Sequence, residues 1–233
     1  MAFPSSKPDT APVLPATPFF MIRHGETVMN AQRLTCGGGV DTTLNDEGRR
    51  QAFVAGQVLG TLPVPARPTL IIHSDMARTR QTTEILNEGL RLPVLGDNEL
   101  REHMMGEWER KPWDEVFPHL RGDPDVVPAG GESRRQFGAR IRAAMSRLLS
   151  AHASERVLFV THGGVFHSFQ HIHGVNRNLF IPNATLHHFA PEPAHAPMPW
   201  KVTLYEWKNA LRESVAPICP SHPDQSSKSF GQR

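Results

Sequence analysis

Residues 19–22, 70–72 and 157–160 are apolar at every position. Runs this short, with no polar face, fit strands buried on both sides, as in a parallel sheet covered by helices. The intervening segments carry helical spacing. Asn45 is placed to cap a helix whose first turn holds Asp46 and Glu47, favourable beside the positive end of a helix dipole; its inner face is Ala52, Ala55, Val58 and Leu59. A second helix is expected to follow Asp75 and run towards Leu90, stopped by Gly89 and Pro93. For a third, Ser133 and Gln136 form a capping box ahead of Phe137, Ile141, Ala144, Met145 and Leu148. The alternation predicts a three-layer α/β domain with a mainly parallel central sheet flanked by helices. Two further strands are expected over 184–189 and 201–207, antiparallel to each other at an edge of the sheet and joined by the proline-rich loop 191–199.

The ends read differently. Prolines at 4, 8, 12, 15 and 18 break any targeting segment, and the C-terminal stretch is rich in proline and serine. The expected organisation is a disordered arm over 1–17, a folded domain over 18–211 and a disordered tail over 212–233. A hydrophobic fraction of 39% over 233 residues supports one α/β domain. A net charge of +2 gives no reason to expect a nucleic acid or an anionic membrane as partner. The only cysteines, Cys36 and Cys219, make no disulfide framework, which favours a reducing, cytoplasmic setting. No apolar run approaches the ~20 residues of a membrane span.

The chemistry lies where the apolar runs end. The first leads into Arg23-His24-Gly25-Glu26-Thr27, the second through His73-Ser74 to Arg78, and the third into Thr161-His162-Gly163-Gly164. Open α/β sheets bind ligands at the carboxyl ends of their strands, so one sheet would gather two arginines and two histidines around one point. Such a set suits a phosphoryl group. Arginine offers a planar fork to its oxygens, and a histidine nitrogen can attack phosphorus. Thirteen histidines also raise a metal site, but no HExxH accompanies His167, His171 and His173, and His187 and His188 should face opposite sides of a strand; no metal is expected. Gly37-Gly38-Gly39 lacks the lysine of a P-loop and is expected to be a flexible rim loop, with Cys36 beside it a candidate reactive thiol.

The string Arg23 to Thr27 with Asn30, the segments 44–52, 74–82 and 100–109, Gly131-Glu132-Ser133 and Thr161-His162-Gly163 together resemble the histidine phosphatase superfamily, which includes the cofactor-dependent phosphoglycerate mutases. The resemblance spans 20–207 and implies a phosphoglycerate mutase-like fold. It also implies roles. His24 is the nucleophile that becomes phosphohistidine. Arg23, Arg78 and His162 hold the phosphoryl oxygens, Glu102 is the general acid and base, and Asn30, Thr27 and Gly163 contact the phosphate or the substrate. Glu26 is the fallback acid and Arg80 the natural decoy for Arg78. No cofactor is implied; the partner is a small phosphorylated substrate, and a homodimer is compatible with the chain.

Three functions fit this set: a metal-independent phosphomonoesterase, a cofactor-dependent phosphoglycerate mutase, and a non-catalytic phosphate-binding or adaptor protein. The mutases carry a longer insertion after the acid, with a Gly-Leu-Asn-Lys segment; here Trp113 stands where that lysine would be, and the span to Gly131 is short. All five site residues are present, which favours an enzyme, and the phosphatase is the expected branch. Two departures fall on the rim. Arg110 occupies a place where the phosphatase pattern has glycine, and the 33–44 loop is about two residues longer than usual for that pattern. Trp108 and Trp113 are expected to pack.

Overall fold

The three apolar runs become adjacent strands at the centre of one sheet. The structure, a computed structural model, describes residues 14–172, 181–192, 200–206 and 212–214. Strands β1 (Phe19–Arg23), β2 (Leu70–Ser74), β3 (Val94–Asp97), β4 (Val157–Thr161), β5 (Leu186–Pro191), β6 (Trp200–Glu206) and β7 (Arg212–Ser214) are ordered β3-β2-β4-β1-β5-β6-β7. The four on one side, β3, β2, β4 and β1, are mutually parallel, and β5, β6 and β7 add antiparallel pairs. The last two expected strands do pair antiparallel, but β5 is internal because it also pairs with β1.

The helices are α1 (Val28–Ala31), α2 (Asp46–Thr61), α3 (Ala77–Asn87), α4 (Trp113–Arg121), α5 (Arg134–Ala151) and α6 (Gly163–Ile172). Alternation along β1 divides the core. Phe19 and Met21 face a cluster with Ile141 and Met145 of α5 and Val165 and Phe166 of α6, while Phe20 and Ile22 face Ala55 and Leu59 of α2 and Leu86 of α3. Both faces of the sheet are therefore covered, giving the three layers. The expected caps are present: Asn45 accepts from Gly48 N, and Ser133 and Gln136 exchange both bonds of a capping box. The second helix is shorter than expected, because Met76 takes the N-cap position and the chain leaves the helix after Asn87.

The domain boundaries need correction at both ends. Leu14 is buried in the same cluster as Phe19 and Trp200, so the folded unit begins before residue 18. β7 pairs with β6 over Arg212–Ser214, so it also extends past residue 211. The remainder of both termini (1–13 and 215–233), with Cys219, lies outside the described residues, as do Trp207 of the last expected strand and His173.

Register sets the geometry of the functional edge. Arg23 pairs with Thr161 and His73 with Val160, so β1, β4 and β2 end nearly level. His24 N continues the ladder by donating to Thr161 O at 2.9 Å.

Candidate active site

His24 leaves β1 on a loop held from three sides. Gly25 N donates to Thr82 Oγ1 of α3 (3.0 Å), Glu26 N to Gln51 Oε1 of α2 (2.9 Å), and Asn183 Nδ2 to His24 O (2.9 Å). Gly25 and Gly48 bring this loop against the first turn of α2 so closely that a Cβ on either would overlap the other segment's backbone. The ring is fixed as well. His24 Nδ1 lies 2.7 Å from Gly25 O, and a carbonyl only accepts, so Nδ1 carries the proton. The lone pair is thereby left on Nε2. Burial, then the nearby Arg78 and Arg23, hold the His24 pKa well below 6.5, so the imidazole is neutral at physiological pH.

Around this ring stand donors without partners. Arg78, 0% exposed, spends Nη1 on Val40 O (3.0 Å) and Nη2 on Gly37 O (2.9 Å). Arg23 donates from Nη1 to Ile181 O at 2.7 Å. Among the described residues, Arg23 Nε, Arg78 Nε and both ring nitrogens of His162 are buried with no hydrogen-bond partner, as are the hydroxyls of Ser74 and Thr161 at the ends of β2 and β4. The His24 and His162 rings are 5.4 Å apart between centroids. Each buried donor left unmet costs about 1–3 kcal/mol, so this cluster is an expensive arrangement unless an anion with several acceptor oxygens satisfies it. Burial lowers both arginines from their ordinary value, yet an arginine stays charged in a protein. His162 is also pushed well below 6.5, by burial and then by Arg78 and His24. A dianion would reverse that last effect and favour the protonated, donating form.

Glu102 is 9% exposed and stands at the start of α6. Its Oε2 accepts from Gly164 N at 3.0 Å and its Oε1 from His103 N at 2.8 Å. Each oxygen retains a lone pair, so the carboxyl can still carry and transfer a proton. Glu26 accepts from Asn45 Nδ2 at the cap of α2, and Glu109 from Gly39 N and Met105 N, so both are tied into loops. Arg80 lines a separate cleft with His73, Glu84 and Arg91, away from the two histidines.

Some expectations are revised. Thr27 and Asn30 form a capping box on α1: Asn30 N donates to Thr27 Oγ1 and Thr27 N to Asn30 Oδ1, both at 3.2 Å. Both bonds use the acceptor oxygens of these side chains, so Thr27 and Asn30 also have a local role at the helix start, while the Asn30 Nδ2 amide, the donor expected to reach the phosphate, takes no part in them. Gly37-Gly38-Gly39 is no flexible rim. Gly37 has φ +62 and its carbonyl holds Arg78, Gly38 N donates to His103 O (2.8 Å), and Gly39 N donates to Glu109 Oε1 (2.9 Å). A side chain on Gly38 would strike the backbone carbonyl of Glu102. Cys36 is buried and burial raises its thiol pKa, which opposes reactivity. Gly163 opens α6 beside Arg23, but Gly164 is the glycine that touches Glu102. Trp113 starts α4, donates from Nε1 to Leu34 O (3.0 Å) and stacks on Phe117, while Trp108 stacks on His119. Arg110 has φ +65, the left-handed conformation that explains glycine at this place in the phosphatase pattern. His187 and His188 do differ: the first is buried, and the second packs at a tilt against Phe20, with 4.5 Å between ring centroids. No group of three or more metal-binding side chains occurs among the described residues.

Sequence reasoning missed Asn183 and Thr82, which hold the loop that carries His24. Both act through single hydrogen bonds across 159 and 57 residues, a separation that leaves no local signal.

The chain matches the family model of the histidine phosphatase superfamily (branch 1) over residues 19–196. A probable phosphoglycerate mutase GpmB from Klebsiella pneumoniae is 36% identical over 152 residues, covering 62% of this chain and 68% of that protein. A phosphoglycerate mutase-like protein 4 from Arabidopsis thaliana is 35% identical, covering 64% and 67%. Among solved structures, a mycobacterial glucosyl-3-phosphoglycerate phosphatase in complex with VO3 superposes with a TM-score of 0.65 at 27% identity, over 83% of this chain and 99% of that one. Bacillus stearothermophilus YhfR superposes with a TM-score of 0.67 at 27% identity, over 76% and 92%.

Proposed function

The chain belongs to branch 1 of the histidine phosphatase superfamily, and from that premise and its pocket we propose that it hydrolyses a small phosphomonoester through phosphohistidine on His24. The observation that carries the reading is a neutral histidine, its Nε2 lone pair free, ringed by buried and unpartnered Arg23, Arg78 and His162 donors. The reaction runs in two steps. His24 Nε2 forms a bond to phosphorus while the bond to the leaving oxygen breaks, and Glu102 gives that oxygen its proton. Water then attacks phosphorus, Glu102 takes a proton from it, and the P–N bond breaks to release phosphate and restore His24. The arginines and His162 match the charge on the transferring group, so no cation is called for.

Names among the relatives divide between phosphatases and mutases. The hydrolytic branch is supported by Trp113, whose indole is spent on Leu34 O and on packing at the place where mutases carry a substrate-binding lysine. Lys111 next to it pairs with Glu115 at 3.2 Å.

The test is an assay of EDTA-treated protein on phosphorylated metabolites, including 3-phosphoglycerate with and without 2,3-bisphosphoglycerate, following free phosphate and isomer together. Phosphate release without isomer is expected, with His24→Ala silent. Isomer formation dependent on the bisphosphate would make the protein a mutase, and unchanged turnover in His24→Ala would discard the nucleophile.

A further inference from the structure

The segment that carries Glu102 is clamped from outside by one side chain of α5. Arg140 donates from Nη1 to Glu99 O (2.8 Å) and Arg101 O (3.0 Å), and from Nη2 to Glu102 O (3.3 Å). It also pairs with the Glu132 carboxylate, through Nη2 to Oε1 and Nε to Oε2 (3.3 Å), and that same Oε1 accepts from Met104 N at 3.1 Å. His103, between the two, is fixed by Nε2 to Glu132 O (2.8 Å) and by stacking on Phe137. The residues before, at and after Glu102 thus all refer to one Arg140–Glu132 pair, whose side chains are only 18% and 17% exposed. The pair between Arg101 and Asp75 on the open side is more exposed, and such pairs contribute little.

We propose that Arg140, oriented by Glu132, is a positioning residue that aims the Glu102 carboxyl at the leaving oxygen. The inference rests on Glu102 being the leaving-group acid. Arg140 reaches three backbone carbonyls and a carboxylate together, which takes the planar fork of a guanidinium. Near-attack geometry is steep: a misplacement of about 1 Å costs on the order of a hundredfold in rate.

The experiment compares phenyl phosphate, whose leaving group needs a proton, with para-nitrophenyl phosphate, whose leaving group needs it less. Full-length wild type, Glu102→Gln, Arg140→Ala, Arg140→Lys and Glu132→Gln are measured for kcat/KM on both esters, for inhibition by inorganic phosphate and for thermal melting. Arg140→Ala is expected to lose about tenfold to a hundredfold on phenyl phosphate. On the nitrophenyl ester its loss should stay within about threefold, since little general-acid help is needed there. Phosphate inhibition should be unchanged, because Arg23, Arg78 and His162 are untouched. Arg140→Lys should fall between wild type and Arg140→Ala. An equal loss on both esters, or loss of phosphate inhibition, would mean that Arg140 merely holds the fold and would overturn the proposal. If Arg140→Ala does not fold, the ester ratio in Arg140→Lys and Glu132→Gln decides in the same way. If Glu102→Gln itself shows no ester preference, the acid assignment is what has failed, and the role of Arg140 falls with it.

Discussion

His24 and His162 are kept neutral at a cost that depends on pH. Both are buried beside Arg78, and both have pKa values pushed well below 6.5 in the folded protein. Unfolded, each titrates near 6.5. Above that value the two states bind the same protons on these rings, and stability does not vary with pH through them. As pH falls from about 6.5 towards the lower folded values, the unfolded chain takes up protons that the folded chain refuses, so stability is lost. His187, lowered to about 4 chiefly by burial, adds to the same slope. Each such histidine contributes at most about 1.4 kcal/mol per pH unit across that window. Thermal melts should therefore be flat between pH 7 and 8 and fall steadily below 6.5, with a shallower fall in His162→Gln. An equal fall in that variant would show that His162 is not held neutral. In the proposed mechanism the same depression keeps the Nε2 lone pair of His24 available where an ordinary histidine would be partly protonated.

Between α6 and the acid, the structure places a glycine that composition alone does not single out. The Gly-Gly pair after His162 is visible in the sequence, but which glycine matters is decided by the approach of Glu102 from another segment. A Cβ on Gly164 would collide with Glu102 Oε1, whereas one on Gly163 would lie 3.4 Å from Arg23 Nε, a tight but adjustable contact. Gly164→Ala should therefore lower kcat by about tenfold or more through displacement of the acid, with the helical signal intact, and Gly163→Ala should cost much less. Equal effects would place the acid elsewhere. The same contrast governs what was legible at this scale. β1, β2 and β4 declare themselves because every residue is apolar, and α2 and α5 because local caps frame them. β3 does not: Val94, Leu95, Gly96 and Asp97 form a short edge strand with half-exposed apolar residues and a glycine. α4 is hidden by Pro118 inside it. The triglycine was misread because its rigidity comes from Arg78, His103 and Glu109, none of them neighbours in sequence. Arg140 is one of five arginines on α5 and differs from the others only in what stands opposite.

At the scale of the whole molecule, the fold and the five central site residues follow from the order of motifs along the chain, while the boundaries do not. Burial of Leu14 and pairing of β7 depend on partners far away in sequence, and proline-rich flanks mask both. The sheet's larger consequence is that it brings buried donors together without acceptors for all of them. Arg23 and Arg78 share Glu102 as a neighbour, with Glu26 near the first and Asp41 and Glu109 near the second, but their Nε groups and both His162 nitrogens are buried without a partner, so an anion bound there is stabilising. Inorganic phosphate should accordingly raise the melting temperature of the full chain, since a ligand that binds only the folded state at a hundred times its Kd adds about 2.7 kcal/mol. His24→Ala should keep this shift, because the groups that grip the anion remain. Arg78→Ala should lose most of it, whatever its own melting temperature, since the comparison is between that variant with and without phosphate. A shift that survives Arg78→Ala and vanishes in His24→Ala would invert the assignment, making the histidine the anchor and the arginine a support for the 37–40 loop. The expected pattern instead separates holding the phosphate, which the sheet's strand ends accomplish together, from attacking it, which one ring nitrogen does alone.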